Sequence, residues 1–241
     1  MKKTVSLILA SGSGTRMGAP VAKQFLPLLG KPVYLRSAEM FAGVTDEVVI
    51  VTGEADTGKV REETEEAGIR ALVAAGGASR TESAYLGLRR ALEAGAFDYV
   101  LVHDAARCLV TEAVIRRVLL ETERTGAAIA AVPVKNTVKC VGPDGTILET
   151  PDRRTLWEAQ TPQGFRTDLL DSAYRALFRL ARPGETLSML SERYGLTDDA
   201  SLLERFLRVP VRVVTGDYAN LKITTPEDLS AAEEILRKRG E

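Results

Sequence analysis

Short runs of apolar residues alternate with longer amphipathic segments along most of the chain. The apolar runs are rich in Val, Ile and Leu and lack strict alternation, which is typical of β-strands covered on both faces. The segments between them repeat apolar positions at helical spacing. This pattern predicts an α/β fold with a mostly parallel twisted sheet. The predicted strands are Val5–Leu9, Glu47–Val51, Arg70–Ala74, Tyr99–His103, Ala128–Val132 and Val211–Thr215.

Local signals mark the ends of the helices between these strands. A helix start is favoured by Ser or Thr at the N-cap, and a helix end is favoured by Gly just beyond the last turn. With strands and helices alternating, the predicted architecture is Rossmann-like, with helices on both faces of the sheet. The predicted helix starts are Ser79, Thr111 and Thr225, and the first two helices are expected to end at Gly95 and Gly126.

One stretch departs from this alternation. Two short, partly alternating runs flank a turn, and this pattern predicts a β-hairpin. The runs are Thr137–Val141 and Thr146–Glu149, and the turn is Gly142-Pro-Asp-Gly145. An isolated hairpin is only marginally stable in water, so it should pack on something. It is expected to project as an arm of about residues 134–156 that grips a second subunit; the alternative is that it lies on its own domain. Because no repeat or linker is evident, residues 1–241 are expected to form one domain.

Composition and charge exclude several classes of protein. The 32 Lys and Arg residues nearly balance the 33 Asp and Glu residues, so no broad surface is expected to attract nucleic acid or an anionic membrane. No apolar run reaches the roughly 20 residues that span a bilayer. Cys108 and Cys140 do not make a disulfide framework, and reduced thiols in a cytoplasmic protein are expected. Any phosphate chemistry must therefore come from local basic residues.

A glycine-rich loop follows the first predicted strand, with the sequence Leu-Ala-Ser-Gly-Ser-Gly-Thr-Arg-Met-Gly at residues 9–18. Glycines let the backbone turn tightly and point N–H groups at an anion. The loop is not a Walker A motif, and it lacks the dinucleotide fingerprint because Met17 stands where Gly is needed. Arg16 and Lys23 add two cations that suit a triphosphate. The alternative is a plain strand-to-helix turn with solvated cations.

An acidic residue follows the predicted strand Tyr99–His103. Ligands of parallel sheets bind beyond the carboxyl ends of the strands, so Asp104 is placed to hold Mg²⁺. Arg107 could reach a second anion, and the alternative for Asp104 is a cap on the next turn. His103 has no partner for a zinc site and is expected to pack in the strand.

Three further segments carry polar groups that could contact a substrate. Gly76 and Gly77 open a second loop before a helix, and with Ser83 they could read a base or hold a phosphate. Later in the chain, Thr197 could contact a substrate phosphate and Lys222 a nucleotide phosphate. Each of these residues could instead be a helix cap or a surface group.

Taken together, seven motifs in this order resemble the 2-C-methyl-D-erythritol 4-phosphate cytidylyltransferase family of the non-mevalonate isoprenoid pathway. The resemblance covers about residues 4–236. The motifs are Gly-Ser-Gly-Thr-Arg-Met-Gly followed by Lys-Gln, Gly-Gly-x-x-Arg-x-x-Ser, Val-His-Asp-Ala-Ala-Arg, Pro-Val-Lys-Asn-Thr-Val-Lys, Ala-Gln-Thr-Pro-Gln-x-Phe, Thr-Asp-Asp-Ala-Ser and Asn-Leu-Lys-Ile-Thr-Thr-Pro-Glu-Asp.

The resemblance implies that CMP is transferred from CTP to methylerythritol phosphate, with Mg²⁺ and with release of pyrophosphate. It also implies a homodimer formed through the arm. The residues implied to stabilise phosphate charge are Arg16, Lys23 and Lys222. The residues implied to hold CTP are Ala10, Ser11, Gly12, Ser13, Gly14, Gly77, Ser83 and Asp104, with Asp104 also at the metal. The residues implied to hold the acceptor are Ala105, Arg107, Thr137, Arg153 and Thr197, where Thr137 and Arg153 would reach the partner's pocket.

Three other functions remain open at this point. A ribitol 5-phosphate cytidylyltransferase shares the glycine loop and the Lys-Gln pair, although the Asp-Ala-Ala-Arg motif favours methylerythritol phosphate. A nucleotide-binding protein without activity would keep the fold but has no reason to keep the cations. A dinucleotide-dependent oxidoreductase is disfavoured by the failed fingerprint. No transit peptide precedes the first strand, which favours a bacterial cytoplasmic enzyme over an unprocessed plastid one.

Overall fold

The computed structural model describes residues 2–12 and 22–240. The strands are β1 (Thr4–Ala10), β2 (Pro27–Leu28), β3 (Lys31–Pro32), β4 (Glu47–Thr52), β5 (Leu72–Ala75), β6 (Tyr99–Asp104), β7 (Ala127–Pro133), β8 (Cys140–Val141), β9 (Ile147–Glu149), β10 (Trp157–Arg166) and β11 (Arg212–Thr215). The helices are α1 (Val33–Ala42), α2 (Thr57–Glu66), α3 (Arg80–Ala94), α4 (Glu112–Thr125), α5 (Thr167–Phe178), α6 (Leu187–Arg193), α7 (Ala200–Leu202) and α8 (Pro226–Lys238).

The main sheet has the strand order β11-β7-β10-β6-β1-β4-β5. Neighbouring strands pair in parallel except at β10, which runs antiparallel to both β6 and β7. All six strands predicted from the sequence are present in this sheet, and only their ends differ by a residue or two. The predicted α/β fold with a mostly parallel sheet is therefore confirmed.

Strand β10 is the element of the main sheet that the apolar pattern missed. It enters between β6 and β7, and a register shift separates its two paired halves between Ala159 and Gln163. The strand carries polar residues at Gln160, Thr161 and Gln163, so it contains no apolar run that would predict a strand. All three side chains are buried, and each finds a hydrogen-bond partner in another part of the chain. Tertiary hydrogen bonds thus stabilise a strand that periodicity cannot reveal.

Helices cover the sheet on both faces, as predicted. Residues of α1, α2 and α4 form one apolar core with Ile8, Ile50 and Leu101 of the sheet. Residues of α3, α5 and α6 form a second core on the opposite face with Leu7 and Val102. The two sets of sheet residues alternate along their strands, because successive side chains of a strand point to opposite faces.

The helix boundaries agree closely with the sequence signals. Ser79 caps α3 by accepting a hydrogen bond from the amide of Glu82, and the helix ends before Gly95. Gly126 follows α4 in the left-handed conformation, with φ of 91°, which suits a residue without a Cβ. Before α8, the carboxylate of Asp228 accepts from the amide of Thr225 at 2.8 Å.

The predicted hairpin is present, and it projects from the fold. Strands β8 and β9 pair only with each other among the described strands. Residues 143–150 are all exposed, and Leu148 has 71% of its surface in solvent. This exposure favours a projecting hairpin over one that lies on its own domain. Helices long and apolar enough to span a bilayer are missing from residues 2–12 and 22–240.

Replacing Gly164 of β10 should destabilise the fold, because α4 packs directly against it. A Cβ at this position would overlap Thr122 of α4 and come within 2.9 Å of Leu101. We expect Gly164→Ala to lower the free energy of unfolding by about 1–3 kcal/mol, the usual cost of overpacking a core. In the control Gly58→Ala, the added Cβ of a residue in α2 meets nothing within 4 Å, so no loss is expected. Urea denaturation of both variants checks this; equal stability of the two would contradict it.

Candidate functional site

A cavity of about 340 Å³ opens beyond the carboxyl ends of β1 and β6, next to the start of α3. This is the edge where parallel sheets commonly bind ligands. The structure brings a large part of the predicted site together here. The predicted residues that line the cavity are Ser11, Gly12, Gly77, Ser83, Asp104 and Lys222.

Ser83 connects the two glycine-rich segments at one wall of the cavity. Its hydroxyl accepts hydrogen bonds from Ser11 Oγ at 2.8 Å and from the amide of Gly77 at 3.1 Å. The same hydroxyl donates to the carbonyl of Ser79 at 2.9 Å, which fixes it to the first turn of α3. The position of Gly77 requires glycine, because an added Cβ would overlap the side chain of Glu82. The end of β1 and the start of α3 therefore form one rigid wall.

Four charged side chains form a continuous chain of ion pairs that begins at the cavity and ends at a buried carboxylate. Lys222 Nζ lies 2.6 Å from Asp104 Oδ2, and Arg80 Nε lies 3.0 Å from Asp104 Oδ1. Arg80 then reaches Asp199, with 2.8 Å between Nη1 and Oδ2. The charges alternate in sign, so each is neutralised by its neighbours. Asp199 is 1% exposed, whereas 38% of the Lys222 side chain is exposed.

These contacts determine the protonation of the two carboxyl groups. Burial opposes ionisation of Asp104, but the charges of Arg80 and Lys222 outweigh it and hold the pKa of Asp104 well below its ordinary value. Burial and the two carboxylates act in opposite directions on Arg80, and the carboxylates raise its pKa. At Asp199 burial prevails over the attraction of Arg80, so its pKa is raised. Asp104 is therefore ionised at neutral pH. The ionised form of Asp199 is opposed by burial and stabilised by Arg80.

The two predicted lysines come from opposite ends of the chain, and a hydrogen bond joins their segments; Lys222 lines the cavity and Lys23 does not. Lys23 lies in a 3₁₀ turn at Lys23–Phe25, and its Nζ donates to the carbonyl of Ile223 at 3.0 Å. Ile223 directly follows Lys222, and its amide donates to the carbonyl of Ala106 at 2.8 Å. Hydrogen bonds thus tie the segment that carries Lys222 both to Lys23 and to the loop after β6.

Three other predicted residues lie in or just after the strands beside the cavity. Ala10 ends β1 and is buried, and the amide of the buried Ala105 donates to the carbonyl of Leu9 at 3.0 Å. Arg107 donates to the carbonyls of Asn220 at 2.8 Å and Ala159 at 3.2 Å. Arg107 therefore bridges the segment before Lys222 and the strand β10.

The remaining predicted residues are not gathered at the cavity. Thr137 and Arg153 are exposed on the arm, where Arg153 Nη1 donates to the carbonyl of Lys135 at 2.9 Å. Thr197 is exposed in the loop before α7 and does not line the cavity, although it is two residues from Asp199. Ser13, Gly14 and Arg16 lie outside the described residues, so their predicted contacts stay predictions.

Sequence reasoning missed three residues that shape the site. Arg80 was not selected as a site residue, and it is the centre of the charged chain. Asp199 and Gln163 were not selected, yet Gln163 Oε1 accepts from the amide of Asp199 at 3.0 Å. A signal existed, since all three residues occur within the seven motifs. Their occurrence in the motifs did not identify them as site residues, because spacing along the sequence does not show which motifs lie close together in the fold.

His103 is buried in β6 and packs as predicted. Its ring centroid lies 4.7 Å from that of Phe41, and its Nδ1 lies 3.0 Å from Thr161 Oγ1. The same hydroxyl accepts from the amide of Asp104 at 3.1 Å. Burial lowers the pKa of His103 to about 3, so the ring is neutral at physiological pH. His103 therefore supports the strand end that presents Asp104.

Comparison with known proteins finds one family throughout. A family model described as "IspD: 2-C-methyl-D-erythritol 4-phosphate cytidylyltransferase" matches residues 4–238. The protein of that name from Synechococcus elongatus is 43% identical, and the alignment covers 97% of this chain and 96% of the relative. The one from Geobacter metallireducens is 41% identical, with 97% of both chains covered.

Solved structures agree with the sequence comparison. The 4-diphosphocytidyl-2C-methyl-D-erythritol synthase of Anaerococcus prevotii superposes with a TM-score of 0.80 at 29% identity, over 98% of this chain and 96% of that one. The 2-C-methyl-D-erythritol 4-phosphate cytidylyltransferase of Thermus thermophilus gives a TM-score of 0.74 at 30% identity, over 98% of this chain and 100% of that one. The similarity therefore extends over the whole fold.

The lowered pKa of His103 predicts how stability depends on pH. The folded state keeps this imidazole neutral down to about pH 3, whereas the unfolded chain takes up a proton near pH 6.5. The contribution of the neutral imidazole to the free energy of unfolding is fully present above pH 6.5. It is lost progressively as the pH falls towards 3. Because the chain has one histidine, we expect metal-free protein to lose about 2 kcal/mol between pH 7 and pH 5.

Urea denaturation at both pH values measures this loss, and His103→Gln should remove most of it. In the folded protein, the NMR signals of the single imidazole should not shift between pH 8 and pH 5. A midpoint near 6.5 in that titration would contradict the prediction.

Proposed function

The chain belongs to the 2-C-methyl-D-erythritol 4-phosphate cytidylyltransferase family, and we propose that it transfers CMP in the cavity between β1, β6 and α3. Its reaction joins CMP from CTP to methylerythritol phosphate and serves isoprenoid biosynthesis. The observation that carries the proposed location is that Lys222, Asp104 and the two glycine-rich segments line one cavity, with Lys23 hydrogen-bonded to the residue after Lys222.

The reaction requires that the two substrates be positioned and that charge on the phosphates be stabilised. It does not require a strong base. A phosphate oxygen of methylerythritol phosphate attacks the α-phosphorus of CTP, and the bond from that phosphorus to the bridging oxygen breaks. Pyrophosphate leaves with the electron pair. Because the attacking phosphate is already an anion, no proton has to be removed first. Cations that neutralise the developing charge are what a protein can add.

Two lysines supply this charge in our proposal. Lys23 and Lys222 neutralise the α-phosphate and the leaving pyrophosphate, together with Arg16 of the glycine-rich loop. Lys222 is a suitable ligand for a nucleotide phosphate because its partly exposed ammonium group is held at the cavity by Asp104. Ala10, Ser11, Gly12, Ser13 and Gly14 would hold the nucleotide through backbone N–H groups.

The base and ribose are assigned to the wall formed by Gly77 and Ser83. Gly77 lines the cavity, and so does Ser83, whose hydroxyl holds the Gly77 amide. This wall is fixed by hydrogen bonds before any ligand binds, which reduces the entropy lost on binding.

Magnesium is the proposed cofactor, held by Asp104. No group of three or more His, Cys, Asp or Glu residues within 2–12 and 22–240 is arranged to hold a metal ion. Mg²⁺ does not need one, since it commonly binds one or two carboxylates together with substrate phosphates and water. Asp104 fits this role because it borders the cavity and its lowered pKa keeps it ionised. When bound, the ion would neutralise charge on the phosphates of CTP.

We propose that the acceptor binds between Arg107, Ala105 and Thr197 and that a second copy of the chain completes this pocket. The arm at residues 134–156 supports a homodimer, because its exposed Val141, Ile147 and Leu148 form an apolar surface that water does not favour. Through this arm, Thr137 and Arg153 of one copy would reach the acceptor of the other. No observation favours ribitol 5-phosphate as the acceptor.

A cytoplasmic location is also part of the proposal. Cys108 is buried and Cys140 is exposed, and the two do not form a disulfide. Unbridged cysteines are typical of proteins from a reducing compartment. The single domain predicted for residues 1–241 and the assignment of its arm to dimerisation belong to the same proposal.

Removing the charge of Lys23 should abolish most of the activity. We expect Lys23→Ala to lower kcat at least 100-fold, the size typical of one lost donor that stabilises transition-state charge. Release of pyrophosphate from CTP with Mg²⁺ and methylerythritol phosphate measures this, and ribitol 5-phosphate in parallel should give no release. Lys238→Ala, an exposed lysine of α8, is the matched control and should keep wild-type activity. A loss below fivefold for Lys23→Ala would refute its role.

Mixing two inactive variants tests whether the arm acts on the partner subunit. We expect Arg153→Ala to impair activity while its binding of CTP is unchanged. Refolding Lys23→Ala together with Arg153→Ala should then restore about a quarter of the wild-type rate, since half of the dimers are mixed and each has one intact site. If Arg153 acts within its own subunit, no activity returns. Arg154→Ala, which removes the neighbouring exposed arginine that pairs with Asp152, is the control and should remain active.

A further inference from the structure

Arg80 contacts two parts of the site. In the proposed function, one part binds CTP and the other binds the acceptor. Its Nε contacts Asp104 at the end of β6, on the side assigned to CTP and the metal. Its Nη1 contacts Asp199 in the loop that begins with Thr197, on the side assigned to the acceptor. A guanidinium group is planar and rigid, so two carboxylates bound to it are held at a fixed separation.

Asp199 is anchored well enough to transmit this constraint. Its side chain is almost fully buried, and Tyr174 Oη lies 3.4 Å from its Oδ1. The amides of Asp199 and Ala200 both donate to Gln163 Oε1, at 3.0 and 3.1 Å. The loop after Thr197 is therefore tied to the side chain of Arg80 and to β10.

No other described contact to a side chain positions the guanidinium of Arg80. Its third nitrogen, Nη2, is buried and makes no hydrogen bond to the described residues. The separation between Asp104 and the loop of Asp199 is therefore set by the two ion pairs of Arg80 together with the hydrogen bonds of Gln163. An error of about 1 Å in such a separation can cost a hundredfold in rate when two substrates must react in line.

We propose that the Arg80–Asp199 ion pair positions the acceptor-binding loop relative to the nucleotide. Arg80 and Asp199 are positioning residues in this inference, since they act through Asp104 and Thr197. The inference rests on the proposed placement of CTP and methylerythritol phosphate. It predicts that weakening the ion pair impairs use of the acceptor and leaves binding of CTP intact.

Asp199→Asn is the sharpest test, because it removes the charge, keeps the shape and leaves the Asp104–Arg80 pair in place. We expect kcat/KM for methylerythritol phosphate to fall at least tenfold. The Kd of CTP, measured by calorimetry without acceptor, should change less than twofold. Asp171→Asn removes an exposed ion pair with Arg175 on α5 and should change neither value. An equal loss in both values, or no loss with the acceptor, would overturn the inference.

A second variant covers the case in which Asp199→Asn folds poorly. Arg80→Lys keeps the charge but cannot hold two carboxylates in a fixed plane, so it should also impair the acceptor reaction more than CTP binding. Because both changes act on one ion pair, the double variant should be no worse than the more impaired single one. Additive losses would show that the two residues act independently and would contradict the inference.

Thr197→Ala separates this inference from the placement on which it rests. If Thr197→Ala raises the KM for the acceptor and Asp199→Asn has no effect, the placement stands and the ion pair has no positioning role. If neither variant affects the acceptor, the placement itself is wrong and the inference fails with it.

Discussion

The site depends on one buried carboxylate, that of Asp104 at the end of β6. An isolated anion in this position would be costly, so the fold must bring cations to it. It does so from two distant parts of the chain, with Arg80 from the start of α3 and Lys222 from the segment before α8. The requirement to neutralise one charge thus gathers the segments that the reaction needs, and it leaves Lys222 at the cavity with its ammonium group partly exposed.

Sequence patterns gave the framework of the protein correctly, and they fell short where polar residues are buried. Asp104 and the two glycine-rich segments follow or precede apolar strands, so their place at the carboxyl edge could be predicted. Strand β10 could not, since its buried Gln160 and Gln163 have no apolar signature. Arg80 was also underestimated, because its role depends on Asp199, a residue more than 100 positions away whose proximity only the folded chain reveals.

The arm and the cavity differ in how strongly the rest of the fold holds them. The walls of the cavity are joined to one another by hydrogen bonds and ion pairs, and they belong to the ends of β1 and β6, the start of α3 and the segment before α8. The arm has almost no support from the rest of the fold, and its apolar side chains are in solvent. Exposed apolar surface of this kind favours contact with another molecule, which is the physical argument for the proposed second copy.

Strand β10 links these two regions, and its length has a consequence for variation within the family. The strand starts at the base of the arm, its Gln160 holds the segment before Lys222, and its Gln163 holds the loop of Asp199. Side chains alternate between faces, so one inserted or deleted residue would turn both glutamines away from their loops. The number of residues in β10 is therefore constrained by two loops of the site at once.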